Sequence, residues 1–134
     1  MKAVYLLILA LAFFACSGGN NDYPRADNAF DAGREFIDGC LKGDFKRASF
    51  YMLDDGENNK DLQQIKAIYQ QKTQEQKQNY YGASIIVNED AAVSDSVHVI
   101  NYMNSFDKIA RKVKVVLQSG GWKVDFKYTF NGNL

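Results

Sequence analysis

Histidine, proline and cysteine are scarce in this chain of 134 residues, which holds one histidine, one proline and two cysteines. The single His98 excludes metal sites built from several histidines. Two cysteines allow at most one disulfide, so an apolar core must stabilise the fold. A Gly-rich phosphate loop and the CxxC, HExxH and GxSxG motifs are also missing, and the sequence therefore predicts no cofactor and no metal.

Neither sign of charge predominates. Sixteen basic and sixteen acidic side chains give a formal net charge of zero. A dedicated nucleic-acid binder usually has a strongly basic balance, because neutralising phosphates supplies most of its affinity. The composition therefore indicates no nucleic-acid partner. With 46% apolar and 13% aromatic residues, the chain has the length and composition of one globular domain.

The N-terminus has the anatomy of a secretory signal peptide. Lys2 supplies a positive charge, and an uncharged, mostly apolar run from Ala3 to Ala15 follows it. A helix of that length rises about 20 Å, well short of the roughly 30 Å hydrocarbon core, so a permanent spanning helix is not predicted. We expect residues 1–15 to be removed on export.

A cysteine follows this apolar run directly. The segment Phe13–Cys16, with the small Ala15 before the cysteine, resembles the lipobox of bacterial lipoproteins. The resemblance implies that Cys16 carries a lipid anchor that holds the mature protein on the cell envelope, and Ser17 favours the outer membrane. The alternative is an ordinary secretory signal cut after Ala12 or Ala15, which leaves Cys16 as a free thiol.

The mature chain divides into a tether and one domain. Residues 16–25 are polar and lack hydrophobic periodicity, which predicts a flexible tether between the lipid and the domain. Residues 26–134 form the predicted domain. Once Cys16 is acylated, no intrachain disulfide is available to Cys40. Cys40 lies in register with the apolar face of a predicted helix, so we interpret it as a small buried hydrophobe and not as a nucleophile.

Three helices are predicted in the first half of the domain. The first begins at a cap on Asp27 or Asn28 and runs to about Lys42. Asp44 caps a short second helix, and breaker residues predict a loop over 54–59. The inner stripe of the third helix consists of Leu62, Ile65, Ile68, Tyr69 and Lys72.

Beyond Tyr80 the apolar repeat changes to every second residue, and β-branched and aromatic residues are enriched. Strands are predicted over about 82–88, 92–103, 108–118 and 122–131. Short turns at 88–90, 104–106 and 119–120 should join them as antiparallel hairpins. In the last hairpin, a turn at Ser119-Gly120 places Leu117 opposite Trp122 and Val115 opposite Val124, all on one apolar face.

These elements predict an α+β domain, with three N-terminal helices packed on one side of a curved four-stranded antiparallel sheet. The order of elements, closing with the segment Gly121-Trp122-Lys123-Val124, resembles the nuclear-transport-factor-two-like superfamily over about residues 26–131. The resemblance implies a cone-like domain with a cavity at its open end.

The turn before the third strand determines which residues of the second strand would line that cavity. A three-residue turn at 104–106 places Val97 opposite Val113 and points Val93, Asp95, Val97, Val99 and Asn101 inward. A two-residue turn at 104–105 points Ser94, Ser96, His98, Ile100 and Tyr102 inward. We prefer the first register, because it supplies three valines to the core. The candidate pocket residues are then Asp95, Val97, Val99, Asn101, Val113, Trp122, Phe126 and Tyr128.

The preferred functional interpretation is a lipid-anchored binding or accessory module of the cell envelope, with an apolar pocket for a small ligand or peptide. One alternative is an interaction or dimerisation domain whose sheet meets another protein or a second copy, with the cone filled by Trp122, Phe126 and Tyr128. Another is an isomerase-like or dehydratase-like enzyme that uses Asp95 as a proton carrier. No catalytic motif of the superfamily matches particular positions here, so no catalytic residue is assigned. A cavity of a few hundred Å³ would favour the binding module over the filled cone.

Overall fold

The computed structural model describes residues 23–130. Its helices before the sheet are α1 (Ala29–Lys42), α2 (Phe45–Phe50), α3 (Gly56–Gln71) and α4 (Gln74–Tyr81). The strands are β1 (Ile85–Ser94), β2 (Val97–Asn104), β3 (Arg111–Gln118) and β4 (Gly121–Asp125), and α5 (Lys127–Phe130) follows them. The strands form one antiparallel sheet in the order β1-β2-β3-β4. The predicted α+β class is confirmed, although one short helix comes after the sheet.

The predicted signal peptide and lipidation site lie outside the described residues, as does most of the tether. The last residues of the predicted tether, from Tyr23 on, lie within the described part of the chain and contact the domain. The Tyr51 hydroxyl donates a hydrogen bond to the carbonyl oxygen of Pro24 at 2.6 Å, and the rings of Tyr23 and Phe50 are 5.5 Å apart. In the part of the chain that the structure describes, no helix is long and apolar enough to cross a membrane.

Polar caps define α1 and α2 where the sequence predicted them. The Asn28 side chain accepts a hydrogen bond from the backbone N–H of Asp31 at 2.8 Å. Gly43 ends α1 in the left-handed region with φ of 71°, a conformation that costs glycine little. Asp44 then accepts from the N–H of Arg47 at 3.1 Å and begins α2. Both predicted helices are confirmed.

Helix α3 begins earlier than predicted, and a separate helix follows it. The predicted loop over 54–59 is wrong beyond Asp55, because the Asp55 side chain accepts from the N–H of Asn58 at 2.8 Å and caps α3. An aspartate among breaker residues is also the preferred N-cap of a helix. Helix α4 was not predicted. Thr73 and Gln76 form its capping box, each side chain accepting from the other residue's backbone N–H.

Strand β1 runs through residues that were predicted to form a turn. The turn prediction over 88–90 is wrong, because the pairing with β2 continues on both sides of a bulge at Asn88. The chain instead turns at Asp95-Ser96, after Ser94 pairs with Val97. A bulge leaves one residue unpaired and bends an edge strand without ending it. Polar residues in the middle of β1 therefore indicated an irregular edge strand rather than a turn.

The preferred inner face of β2 is also wrong. Ile100 pairs with Val113 and His98 with Val115, whereas the preferred register paired Val97 with Val113. A change of parity in the register turns every side chain of the strand to the other face. His98, Ile100 and Tyr102 consequently face the helices, as in the alternative register, and the outer face carries Val97, Val99 and Asn101.

The connection between β2 and β3 explains this correction. It covers residues 105–110 and is longer than either predicted turn. The Asn104 side-chain oxygen accepts hydrogen bonds from the backbone N–H groups of Phe106 and Asp107 at 3.0 and 2.9 Å. These bonds fold the start of the connection back on the end of β2 and satisfy backbone donors that no strand partner reaches.

The β3–β4 hairpin matches its prediction. Leu117 pairs with Trp122 and Val115 with Val124 across the Ser119-Gly120 turn. Strand β4 is shorter than predicted, however, and ends at Asp125. Its outer edge is covered, since the N–H of Val124 donates to the carbonyl of Tyr51 at 2.7 Å and the Val124 carbonyl accepts from Leu53 at 2.9 Å.

The core lies between α1 and the inner face of the sheet. Gly33 allows the close approach of α1, because a Cβ atom there would lie 2.7 Å from Cδ1 of Ile100. The Phe36 and Phe126 rings meet with centroids 4.9 Å apart. Fully buried members of the core include Ala32, Phe36, Ala48, Tyr51, Met52, Ile100, Val113, Val115 and Val124.

Candidate functional site

A cavity of about 440 Å³ opens between α1, α3 and one end of the sheet. This volume lies in the range of small-molecule pockets, about 300 to 1,000 Å³. Ile68, one of the residues that line it, is 53% exposed. The cavity thus combines a pocket-sized interior with access from solvent.

Two helices supply its apolar wall. Helix α1 contributes Phe36, Ile37, Cys40 and Leu41, which fall on one side of the helix because they are spaced one and four residues apart. Helix α3 contributes Ile65, Ile68 and Tyr69, and Lys72 follows at its C-terminal cap. These residues belong to the stripe that the sequence predicted as the inner face of the third helix. Leu62 of that stripe enters the core, and the rest of it borders the cavity.

Tyr69 is held at the cavity wall by the end of α1. A Cβ atom on Gly43 would lie 2.5 Å from Cζ of Tyr69, so the ring rests directly on the glycine. Phe45 meets the same ring edge-on, with centroids 5.5 Å apart, and the Lys77 ammonium lies 5.3 Å from its centroid. The left-handed glycine that ends α1 therefore also makes room for an aromatic side chain of the cavity.

One end of the cavity is polar. We call Lys72, Tyr80, Asn104, Asp107 and Arg111 the polar end. The Arg111 guanidinium donates to both carboxylate oxygens of Asp107, at 3.1 and 2.8 Å. The Tyr80 hydroxyl donates to the same carboxylate at 3.3 Å, and the Lys72 ammonium lies 4.8 Å from the centroid of the Tyr80 ring.

Asp107 is held in its ionised form. Burial alone would raise its pKa, but hydrogen bonds from Arg111 and from the N–H of Ile109 outweigh burial and lower the pKa of Asp107 to about 2. The same hydrogen bond raises the pKa of Arg111. The pair is therefore a salt bridge at neutral pH. Because Arg111 occupies both of its oxygens, the Asp107 carboxylate is a poor proton acceptor.

The cavity contains a thiol and a phenol that both stay protonated. Burial raises the pKa of the Cys40 thiol to about 12, and burial likewise raises the pKa of the Tyr102 hydroxyl. A thiol is nucleophilic as its thiolate, so Cys40 has little reactivity at neutral pH. Both side chains contribute shape and weak polarity to the wall rather than reactive groups.

Few of the predicted pocket residues lie at this cavity. Phe126 lines it. Val113 is buried in the core, and the half-buried Trp122 meets His98 with ring centroids 5.4 Å apart. Asp95 is exposed in the β1–β2 turn. The outer face of the sheet carries Val97, Val99 and Asn101, and Tyr128 lies on α5.

Sequence reasoning missed the polar end and the contribution of α1. Asp107 and Arg111 are opposite charges four residues apart, directly after an apolar strand, and this spacing was the available signal. Interpreting 104–106 as a tight turn concealed it, because the true connection extends to residue 110. The sequence placed the α1 residues on an apolar face that turns inward. Whether such a face packs in the core or borders a cavity depends on the distance between the neighbouring elements, which the sequence does not show.

No family model, curated protein or solved structure matches the chain. The resemblance to the nuclear-transport-factor-two-like superfamily, with the cone shape that it implies, stays a prediction. Within residues 23–130, no group of three or more His, Cys, Asp or Glu side chains is placed to hold a metal ion.

Proposed function

We propose that this protein is a lipid-anchored module of the bacterial cell envelope that binds a small amphipathic ligand in the cavity. The observation that carries the proposal is the cavity of about 440 Å³, with an apolar wall from two helices and a polar end. A ligand with an apolar body and a polar head would match both parts. The anchor on Cys16 would keep this binding site at the membrane surface.

Exposure of the apolar wall to water is unfavourable, and this gives a physical reason for a bound ligand. Ile68 in the cavity wall is half-exposed, and water inside the cavity would find few hydrogen-bond partners along α1. Covering apolar surface stabilises a complex by roughly 25 cal/mol per Å² before the costs of association. An apolar ligand body would therefore gain from replacing that water.

The arrangement supports binding over proton transfer. The enzyme interpretation used Asp95, which lies in an exposed turn away from the cavity. The carboxylate that does line the cavity is Asp107, and it is held ionised by Arg111. A general base needs a pKa close to the working pH and a free lone pair. Asp107 has neither property.

A filled cone receives less support. That interpretation required Trp122, Phe126 and Tyr128 to occupy the interior. Phe126 packs on Phe36 and forms part of the cavity wall, and the space beyond it is open.

Self-association through the sheet is a second candidate, compatible with ligand binding. Apolar side chains on the outer face do not belong to the core cluster, and this set comprises Ile86, Val97, Val99, Met103 and Val116. Val93, at a bulge of the edge strand β1, is 66% exposed. A second copy meeting this face would appear as a dimer in sedimentation velocity, and Val99→Lys should return it to a monomer. A wild-type monomer at high concentration would remove this candidate.

Dye binding tests the proposed function. Nile red, a neutral apolar dye that fluoresces out of water, would be titrated into the full chain carrying Cys16→Ser. Ile68→Asn places a polar amide in the apolar cavity wall and should weaken dye binding about tenfold. Val93→Asn makes the same kind of change on the exposed edge strand and should leave the affinity unchanged. Absence of dye binding, or equal effects of both variants, would contradict the proposal.

A further inference from the structure

The polar end carries one cation that its salt bridge does not neutralise. Arg111 is committed to Asp107 through two hydrogen bonds. Lys72 lies over the Tyr80 ring, and no carboxylate among residues 23–130 forms an ion pair with it. The net charge of the polar end is therefore positive, and this charge favours an anionic group beside the apolar wall.

Asn104 adds a hydrogen-bond donor at the same end. The residue is 2% exposed and lines the cavity. Its side-chain oxygen is used twice, by the N–H groups of Phe106 and Asp107. Its amide nitrogen donates to none of the residues that the structure describes, and it is not among the buried polar atoms that lack a partner, so it is accessible from the cavity. An amide donor that is open to the cavity can bind an acceptor oxygen of a ligand.

We infer that the ligand is a monocarboxylate with an apolar body, and this inference rests on the proposed function. One carboxylate oxygen accepts a hydrogen bond from the Asn104 amide, and the anionic head pairs with Lys72. The apolar body lies along the α1 and α3 wall. A single negative charge matches the single cation outside the salt bridge, whereas a doubly charged phosphate would bring a second, unmatched negative charge near the Asp107 carboxylate. Charge-assisted hydrogen bonds of this kind are among the stronger polar contacts in proteins.

A set of probes with one apolar chain and different heads tests the inference. Dodecanoate, dodecanol and dodecyltrimethylammonium would each displace Nile red from the full chain carrying Cys16→Ser, below their micellar concentrations. We expect dodecanoate to bind about tenfold more tightly than dodecanol, because only its head is anionic. The cationic probe should bind more weakly than both.

Two variants and a control locate the effect. Lys72→Met should remove the preference for dodecanoate and leave dodecanol binding unchanged. Asn104→Asp keeps the acceptor oxygen that folds the connection but replaces the donor with a negative charge, and it should weaken dodecanoate alone. Lys77→Met removes another lysine that lies over a tyrosine ring, although Lys77 does not line the cavity, and it should preserve the preference.

The outcomes separate the two proposals. If dodecanol and dodecanoate displace the dye equally, or if Lys72→Met keeps the preference, the monocarboxylate inference is overturned and the binding cavity stands. If the dye does not bind and no probe binds, both are overturned. A preference lost in Lys72→Met and in Asn104→Asp but kept in Lys77→Met supports the assignment.

Discussion

Asn58 and Asp125 are hydrogen-bonded inside the domain, where the Asn58 side-chain nitrogen donates to a carboxylate oxygen of Asp125 at 3.1 Å. The Asn58 side-chain oxygen accepts from the backbone N–H of Lys127 at 2.9 Å. One fully buried amide thus joins the first turn of α3 to the end of β4. Because it captures the N–H of Lys127, it also turns the chain out of the strand and into α5, whose Thr129 borders the cavity.

We expect Asn58→Ala to lower the free energy of unfolding by about 2 to 3 kcal/mol, because it leaves the backbone N–H of Lys127 without its acceptor and removes one of the two donors to the buried Asp125 carboxylate. Asn59→Ala is the matched control. Asn59 is exposed, its amide bonds Asp54 at 2.8 Å, and its loss should cost at most about 0.5 kcal/mol. Urea unfolding of both variants measures the difference, and equal losses would mean that the buried amide has no special role.

The sequence predicted elements whose signals are local. Asn28 and Gly43 bound α1 through contacts within a few residues, and the Ser119-Gly120 turn fixes its hairpin in the same way. The burial of Asn58 could not be recognised, because Asp125 and Lys127, which its side chain joins to α3, lie 67 and 69 residues further along the chain, and only its contact with Asp55 is local. A side chain whose partners are distant in sequence carries no local pattern.

The cavity was predictable only in part for a related reason. A helical stripe such as the one through Ile65 and Tyr69 shows which face turns inward, but it does not show whether that face touches the sheet. The 105–110 connection, whose start is held by hydrogen bonds to Asn104, is longer than a tight turn, and the inner face of β2 follows from its register with β3. Asp107 lies in that connection and Arg111 directly follows it, so only the structure shows that both residues line the cavity.

The salt bridge in the cavity should make stability depend on pH. The pKa of Asp107 is about 2 in the folded chain and about 3.9 in an unfolded one. A lowered folded-state pKa contributes stability above the unfolded value and loses it as the pH falls toward the folded value. Asp107→Asn should therefore lower stability by at most about 2 kcal/mol at neutral pH, and the deficit should shrink between about pH 4 and pH 2.

Urea unfolding of wild type and Asp107→Asn across this pH series tests the prediction. Arg111→Met should remove most of the same pH-dependent contribution, because Arg111 donates the hydrogen bonds that lower the pKa of Asp107. A stability deficit of Asp107→Asn that stays constant from neutral pH to about pH 2 would show that the carboxylate is not stabilised in its charged form.

The lipid anchor can be tested with the two cysteines of the chain. In a bacterial host, wild type should incorporate labelled palmitate and sediment with membranes, because several acyl chains hold a protein stably on a bilayer. Cys16→Ser should abolish both properties. Cys40→Ser is the matched control and should retain both. Palmitate incorporation that survives Cys16→Ser would contradict the predicted lipobox.

Cys40 offers a direct report on cavity occupancy. In the Cys16→Ser chain it is the remaining cysteine. Its thiol pKa of about 12 leaves little thiolate near pH 8, so iodoacetamide should alkylate the folded chain about a thousandfold more slowly than the urea-unfolded chain. Saturating dodecanoate should slow the reaction further, because Cys40 lines the cavity that the apolar chain would fill.

Mass spectrometry of quenched samples gives both alkylation rates. Lys72→Met separates protection by an occupied cavity from a general stabilisation of the fold, since it should weaken protection by dodecanoate while leaving the ligand-free rate unchanged. A dodecanoate effect of equal size in wild type and in Lys72→Met would place the bound chain away from the polar end. No protection in either chain, at probe concentrations that displace Nile red, would mean that the dye and the fatty acid bind outside the cavity.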